Sequence, residues 1–453
     1  MLDMGHESST AALASESPHP AEDRAYRPPM KMKIFWTIWS GQAFSLAGSQ
    51  ASQFALIWWL TLETGSAAVL STATLCALLP QIVLGPAIGA LVDRCSRRIT
   101  MLVADGAVAL ASLALAGLFL AERAGTTSVL LFILWRALGG AFHAPAMMSA
   151  TSLMVPAQHL ARIQGVNQML QGGLGILTAP LGAVLLGLVG MTGVMAMDVV
   201  TALCAMAPLL FIRIPEPERS RQSSASRRWA FLDDFGAGLR YLRSLPGPMA
   251  LIGYAAAINL FLVPAFALLP LLVSQEMRGD AGTQAWMTSA VGAGVIAGGL
   301  ALGVWGGSRR RVHTALASLL GLGAATVALG VTPASLLPLA VVAMLAVGAF
   351  SAVANGCIAA VLQATIAPEY QGRVFTLMMC IATAMTPIGL LIATPVAEAA
   401  GVRVWYVAAG FVCAAMGAGA FMVRSIVTMQ GDAAQEQPAQ EQISPMEAAS
   451  HRP

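Results

Sequence analysis

Gly89-Ala-Leu-Val-Asp93-Arg94-Cys95-Ser96-Arg97-Arg98 joins two long apolar runs, and its residue types are not those of an ordinary loop. Arg94, Arg97 and Arg98 fit a membrane anchor, because Lys and Arg gather at the cytoplasmic ends of membrane helices. That rule does not account for an acid among them. Asp93 can accept hydrogen bonds from the exposed N–H groups that begin another helix, a favourable place for an anion. Gly89 has no side chain to keep two helices apart. The stretch therefore carries more than a topology signal.

The pattern around it extends over the whole chain. Of 453 residues, 57% are hydrophobic and 10% charged, with a mean hydropathy of +0.72, far from the roughly 25% charged residues of a soluble domain. That composition argues against a soluble globular protein. A membrane span needs about 20 apolar residues, and turn or charge punctuation divides the chain into twelve: 34–61, 66–92, 99–121, 127–152, 162–190, 192–212, 247–274, 284–306, 311–331, 335–365, 373–400 and 402–426. In the first, Trp36 and Trp39 stand at one end and Trp58 and Trp59 at the other, about 33 Å apart along a helix, as a pair of interfacial aromatic belts requires. The predicted fold class is an all-α membrane protein of twelve transmembrane helices in two pseudo-symmetric six-helix bundles.

Loop charges orient it. With the spans alternating, 21 Lys and Arg fall on the side that holds both termini and only Arg123, Arg278 and Arg403 on the other. Both termini are expected in the cytoplasm of a bacterial inner-membrane protein. Residues 1–30 are polar and lack the apolar core of a secretory signal; 429–453 are rich in Gln, Glu, Ala and Pro and read as a disordered tail. Between bundles 31–212 and 246–428 lies 213–245, with seven Arg and four acids, a cytoplasmic linker. The halves echo each other: Pro156 and Arg162 before span five recur as Pro368 and Arg373 before span eleven. Such duplication places a substrate site at the interface of the halves, near the bilayer midplane. The net charge of +3 is too small to imply nucleic acid, and the partner of the Arg clusters is the membrane surface. Six cysteines without CxxC or Cys/His spacing support neither a metal nor a disulfide framework, and no cofactor is expected.

Ionisable residues inside spans are costly and mark function or a buried partner. Arg136 lies about nine residues into span four and Asp198 at similar depth in span six, so Asp198 is its expected counter-ion and the pair the first choice for proton coupling. Asp105 in span three follows Arg98 by seven residues, and a local ion pair with the Arg-rich loop is the plainer expectation for it. His143, seven residues after Arg136, could titrate near neutral pH or serve helix packing. Span one carries Gln42, Ser45, Ser49, Ser52 and Gln53 as one polar stripe. With Asn167 and Gln171 of span five, Asn259 of span seven and Asn355 of span ten, these are the expected lining of a largely uncharged cavity. Together with 24 Met, that lining suits a bulky amphipathic small molecule better than an ion or sugar.

The opening stretch resembles the major facilitator superfamily signature G-x-L-x-D-R-x-x-R-R, and Arg136-Ala-Leu-Gly-Gly140 resembles that family's span-four R-x-x-x-G motif. The resemblance implies that Asp93 docks on the start of helix eleven at Gly372-Arg373-Val374, a latch that holds the cytoplasmic face closed, and that Arg136 takes part in proton coupling. Gly175-Ile-Leu-Thr-Ala-Pro180-Leu-Gly182 is a degraded form of the antiporter motif G-x-x-x-G-P-x-x-G-G. Trp39-Ser-Gly-Gln42, Leu60-Thr-Leu-Glu-Thr-Gly-Ser-Ala67, Leu84-Gly-Pro-Ala-Ile-Gly89, Ala141-Phe-His-Ala-Pro-Ala146, Ile212-Arg-Ile-Pro215 and Glu369-Tyr-Gln-Gly-Arg-Val-Phe375 are similar to the macrolide-efflux transporters of the drug:proton antiporter group. That similarity implies export of antibiotics or related lipophilic compounds, as a monomer, driven by protons. An exporter of an endogenous metabolite such as a siderophore would share these features. A membrane enzyme is not supported, since HExxH, GxSxG and GxxxxGK[ST] are missing, and a sensor would need a folded soluble domain.

Overall fold

The computed structural model describes residues 32–92, 95–212, 214, 239–308 and 311–423. The expected tails 1–30 and 429–453, Asp93 and Arg94 of the latch, and most of the linker lie outside them, as do the side-chain surroundings of Gly89 and Arg373. The described chain is helical almost throughout: α1 Met32–Thr64, α2 Ala67–Val92, α3 Arg97–Leu120, α4 Thr126–Met154, then a continuous run Ala157–Phe211. The second half has α7 Pro246–Ala267, α8 Ala281–Trp305, α9 Arg311–Val331, α10 Leu337–Thr365, α11 Pro368–Ala400 and α12 Val402–Met422.

Ten helical runs are long and apolar enough to cross a membrane. One of them holds two crossings. Gly190, at φ 65° and ψ −177°, occupies a region open essentially to glycine alone, and there the run folds into α5 (157–189) and α6 (191–211). The first helix is not among the ten, because its Gln and Ser stripe lowers its hydropathy, yet at 33 residues it is long enough to span. The total is the twelve helices expected.

Lipid offers no hydrophobic drive for helix association, so close packing of small residues has to supply it. At the contact of α8 with α10, a Cβ on Gly294 would lie 2.0 Å from the Leu345 carbonyl oxygen, and one on Gly348 2.1 Å from that of Val291. Asp280 caps α8, accepting from the Thr283 N–H at 2.8 Å, and that bond holds its carboxyl below the ordinary carboxylate range. Within the expected linker, 239–243 is a helical turn; Tyr241 stacks on Tyr370 at 4.1 Å, and its hydroxyl accepts from the Ala367 N–H that begins α11.

The halves meet where α5 packs on α8 and α2 on α11, the two-fold-related pairs of a duplicated fold. Their contact is unequal along the membrane normal. On the face away from the Arg-rich loops, one continuous apolar core runs through both halves and includes Trp58, Leu70, Met195, Leu272, Met287 and Trp405. On the Arg-rich face the core divides in two. Phe35, Met101 and Met154 belong to one half, and Leu251, Val361 and Leu377 to the other. Polar bonds also cross the far face: Thr394 to Ser71 at 2.6 Å, Gln275 to the Gly65 carbonyl at 2.7 Å, and Glu398 accepting from the Ser66 hydroxyl and the Ala68 N–H at 3.3 and 3.1 Å. Among the described residues, the apolar core is shared by the two halves at the far face and separate in each half at the Arg-rich face.

Candidate functional site

Three helices of the first half carry polar residues at a repeated seven-residue step: Gln42 and Ser49 on α1, Asp105 and Ser112 on α3, Arg136 and His143 on α4. Seven residues are nearly two turns, about 10.5 Å of rise. Each helix therefore presents two polar groups on one face, and the packing of α1, α3 and α4 gathers them into two tiers.

The tier nearer the far face is built around Asp198 of α6, which is 2% exposed. Its carboxylate accepts from the Ser49 hydroxyl at 2.9 Å and the Ser112 hydroxyl at 2.6 Å. Arg136 donates to the Ser52 hydroxyl at 2.9 Å and to the Ser49 backbone carbonyl. The expected partnership of Arg136 and Asp198 takes the form of a bridge through Ser49 rather than direct contact. Ser112 was not legible as a site residue, although its seven-residue offset from Asp105 was the available signal.

The second tier lies nearer the Arg-rich face. Gln42 donates to Asp105 at 3.2 Å, and the His143 Nε2 stands 3.5 Å from the other oxygen of that carboxylate. The side chains of His143 and Asp105 are 21% and 14% exposed. The expectation that Asp105 pairs with Arg98 is corrected. Arg98 instead donates to the backbone carbonyls of Leu209 and Leu210, the unsatisfied C-terminal groups of α6 that attract a cation, and so is drawn away from Asp105 across the helix. Arg97 is buried and donates to the Ser149 hydroxyl and the Cys95 carbonyl.

The residues expected to line a cavity take the following places. Ser45 and Gln53 are half-buried on α1 and Gln171 is exposed on α5. Asn167 accepts from the Trp39 indole at 2.7 Å and so ties α5 to α1. Asn259 and Asn355 bond within their own helices, to the Ala255 carbonyl and the Ser351 hydroxyl. Among the described residues no cluster of His, Cys, Asp or Glu could hold a metal ion. The contacts of Glu398 and Gln275 across the far face were not foreseen; each joins residues more than 200 positions apart.

Two duplicated six-helix bundles with ionisable groups buried between helices have the architecture of a secondary membrane transporter. The Major Facilitator Superfamily model matches residues 38–279. The chain is 34% identical over 378 residues to "Macrolide efflux protein A" of Streptococcus pyogenes, covering 83% of this chain and 92% of that protein. It is 26% identical to "Multidrug efflux pump Tap" of Mycolicibacterium fortuitum, covering 84% and 92%. A bacterial homologue of the iron transporter ferroportin, solved in its inward-facing state, superposes with a TM-score of 0.66 at 14% identity, over 86% of this chain and 98% of that one. The chain belongs to the Major Facilitator Superfamily and is a multi-pass membrane transporter, not an enzyme.

Proposed function

We propose that the protein is a proton-coupled exporter of lipophilic drugs, macrolides among them, that works by alternating access as a monomer in the bacterial inner membrane with both termini cytoplasmic. The observation that carries this reading is the near full-length similarity to a macrolide efflux protein. The buried ionisable groups support an ion gradient as the drive, since charge inside a membrane is retained for ion pathways and relays. If the Arg-rich face is cytoplasmic, the conformation described is the one that takes up drug from inside the cell. In the same reading, Asp93 docks on the start of α11 in the opposite conformation, with Gly89, Arg94, Arg97, Arg98 and Arg373 around the contact.

The test is a susceptibility panel in an efflux-deficient host expressing the chain, repeated with a protonophore while ATP is maintained. Macrolide resistance that collapses with the proton gradient is the expected result. Resistance that persists would reject proton coupling. Unchanged susceptibility to every drug, from a well-expressed protein, would favour export of an endogenous metabolite.

A further inference from the structure

We propose that the two tiers have different tasks: Asp105 and His143, steadied by Gln42, form the site that takes up and releases the proton, while Arg136 and Asp198 form a fixed wall beside it. The inference rests on the proton coupling proposed above and assigns it to particular atoms.

The tiers differ in how their groups are satisfied. Both Asp198 oxygens accept short bonds from hydroxyls, and Arg136 is linked to the same carboxylate through Ser49. Adding a proton to Asp198 would set it against two hydroxyl donors and leave the Arg136 charge without its counterpart. The second tier is open-handed. The His143 Nε2 is buried and has no hydrogen-bond partner; it faces the Asp105 oxygen at 3.5 Å, beyond a good hydrogen bond. A buried polar atom left unpaired is costly unless something else fills the site, and one proton between imidazole and carboxylate would fill it. The space is there as well. Gly140 lies one turn from both Arg136 and His143, and a Cβ built on it meets nothing within 4 Å, so the space beside the pair is open.

Other ionisable groups on the surrounding helices are held elsewhere. On α3, Arg97 and Arg98 are bound to Ser149 and to the end of α6. On α4 there is only Arg136, in the other tier, and on α6 Asp198 and the exposed Cys204. Lys33 and Glu63 sit near the two ends of α1, His159 and Arg162 at the start of α5, and Cys76 is half-buried in α2.

The charge balance then yields a rule for exchange. Arg136 and Asp198 sum to zero. With Asp105 ionised and His143 neutral, the two tiers together carry one negative charge. Taking up one proton from water, onto Asp105 with the neutral His143 imidazole accepting from it, leaves the tiers with no net charge. Closing the bundle around an uncompensated charge is unfavourable in a low-dielectric interior. The closing step therefore requires the proton or a cationic group of the substrate but not both, since the two together would leave one positive charge in excess, and that exclusivity couples the two flows in opposite directions.

The test needs no substrate. The full-length protein, purified in detergent micelles, is treated with dicyclohexylcarbodiimide, which reacts with protonated membrane carboxyls, at pH values from 5 to 8, and modified residues are located by mass spectrometry. Modification of Asp105 that rises as pH falls, with Asp198 unmodified, is expected. His143→Leu should move the midpoint of that profile to lower pH, because the acceptor that holds the proton on Asp105 is lost. Modification at Asp198 instead, or Asp105 reactivity that does not change with pH, overturns the assignment.

Binding of a radiolabelled macrolide supplies the second measurement. Wild type should show affinity that changes up to about tenfold per pH unit, and Asp105→Asn affinity that does not change. A pH dependence kept in full by Asp105→Asn overturns the proposal. No macrolide binding at all counts against the drug assignment alone, because the carbodiimide profile reads the proton site without substrate.

Discussion

Ser112 has a single readable task, so it offers a clean measurement. Its hydroxyl is fully buried and donates to Asp198 at 2.6 Å, and a hydrogen bond to a charged group is worth roughly 1.5–3 kcal/mol. Ser112→Ala should lower the thermal unfolding midpoint in detergent by that order, while Ser45→Ala, on the same polar surface of α1 and half-buried, should leave it nearly unchanged. Arg136 is a larger case. Arg136→Ala would strand the Asp198 charge among hydroxyls, and losing one member of a buried charged network costs about 3–5 kcal/mol. Loss of transport and poor membrane yield are expected from the single variant. Adding Asp198→Asn should restore yield without restoring transport, because the buried charge is gone while the wall beside the proton site is still missing. Equal yields from the single and double variants would show that the two residues are energetically independent.

Helices test a different balance, between backbone conformation and packing. At Gly190 a Cβ would meet nothing within 4 Å, so space is not the constraint; the positive φ is. Gly190→Ala should therefore destabilise by about 1–3 kcal/mol, whereas Gly187→Ala, equally unobstructed but inside a regular helix, should be neutral or stabilise by about 0.5–1 kcal/mol. Matched thermal unfolding of the two variants checks both signs. The turn at Gly190 was legible only as a gap between spans five and six, because two helices joined by one residue leave almost no polar loop to read. The spans themselves were legible, since crossing a bilayer is a local demand on 20 or so consecutive residues. So was the matching depth of Arg136 and Asp198, which follows from counting rise per residue. Their bridge through Ser49 was not, and neither was the pairing of Asp105 with His143 rather than Arg98. Both depend on how far each helix rotates about its own axis, which is set by close packing such as Gly41 against Ala205 and Gly48 against Thr201.

At the scale of the whole molecule, alternating access requires the far-face contacts between the halves to be broken and remade in every cycle. Those contacts are few and polar, over a continuous apolar core: Ser71 to Thr394, Gly65 to Gln275, and the Glu398 carboxylate on the first turn of α2. The last is electrostatically apt, because exposed N–H groups at a helix start favour an anion, and it lies on the face opposite the one where Asp93 is proposed to dock on α11. Hydrogen bonds of this kind contribute roughly 1 kcal/mol each, enough to bias the closed far face yet weak enough to be exchanged for water as it opens. A covalent bond in the same place could not be exchanged. The Ser71 and Thr394 side-chain oxygens are 2.6 Å apart, so the two side chains are within reach of one another. With the native cysteines replaced, Ser71→Cys with Thr394→Cys should crosslink on mild oxidation and hold the far face shut. Drug uptake into inverted vesicles should then stop on oxidation and return when dithiothreitol is added, while either single cysteine variant transports under both conditions. Undiminished transport by the crosslinked protein would mean that α2 and α11 do not separate at the far face, and that substrate leaves by another route.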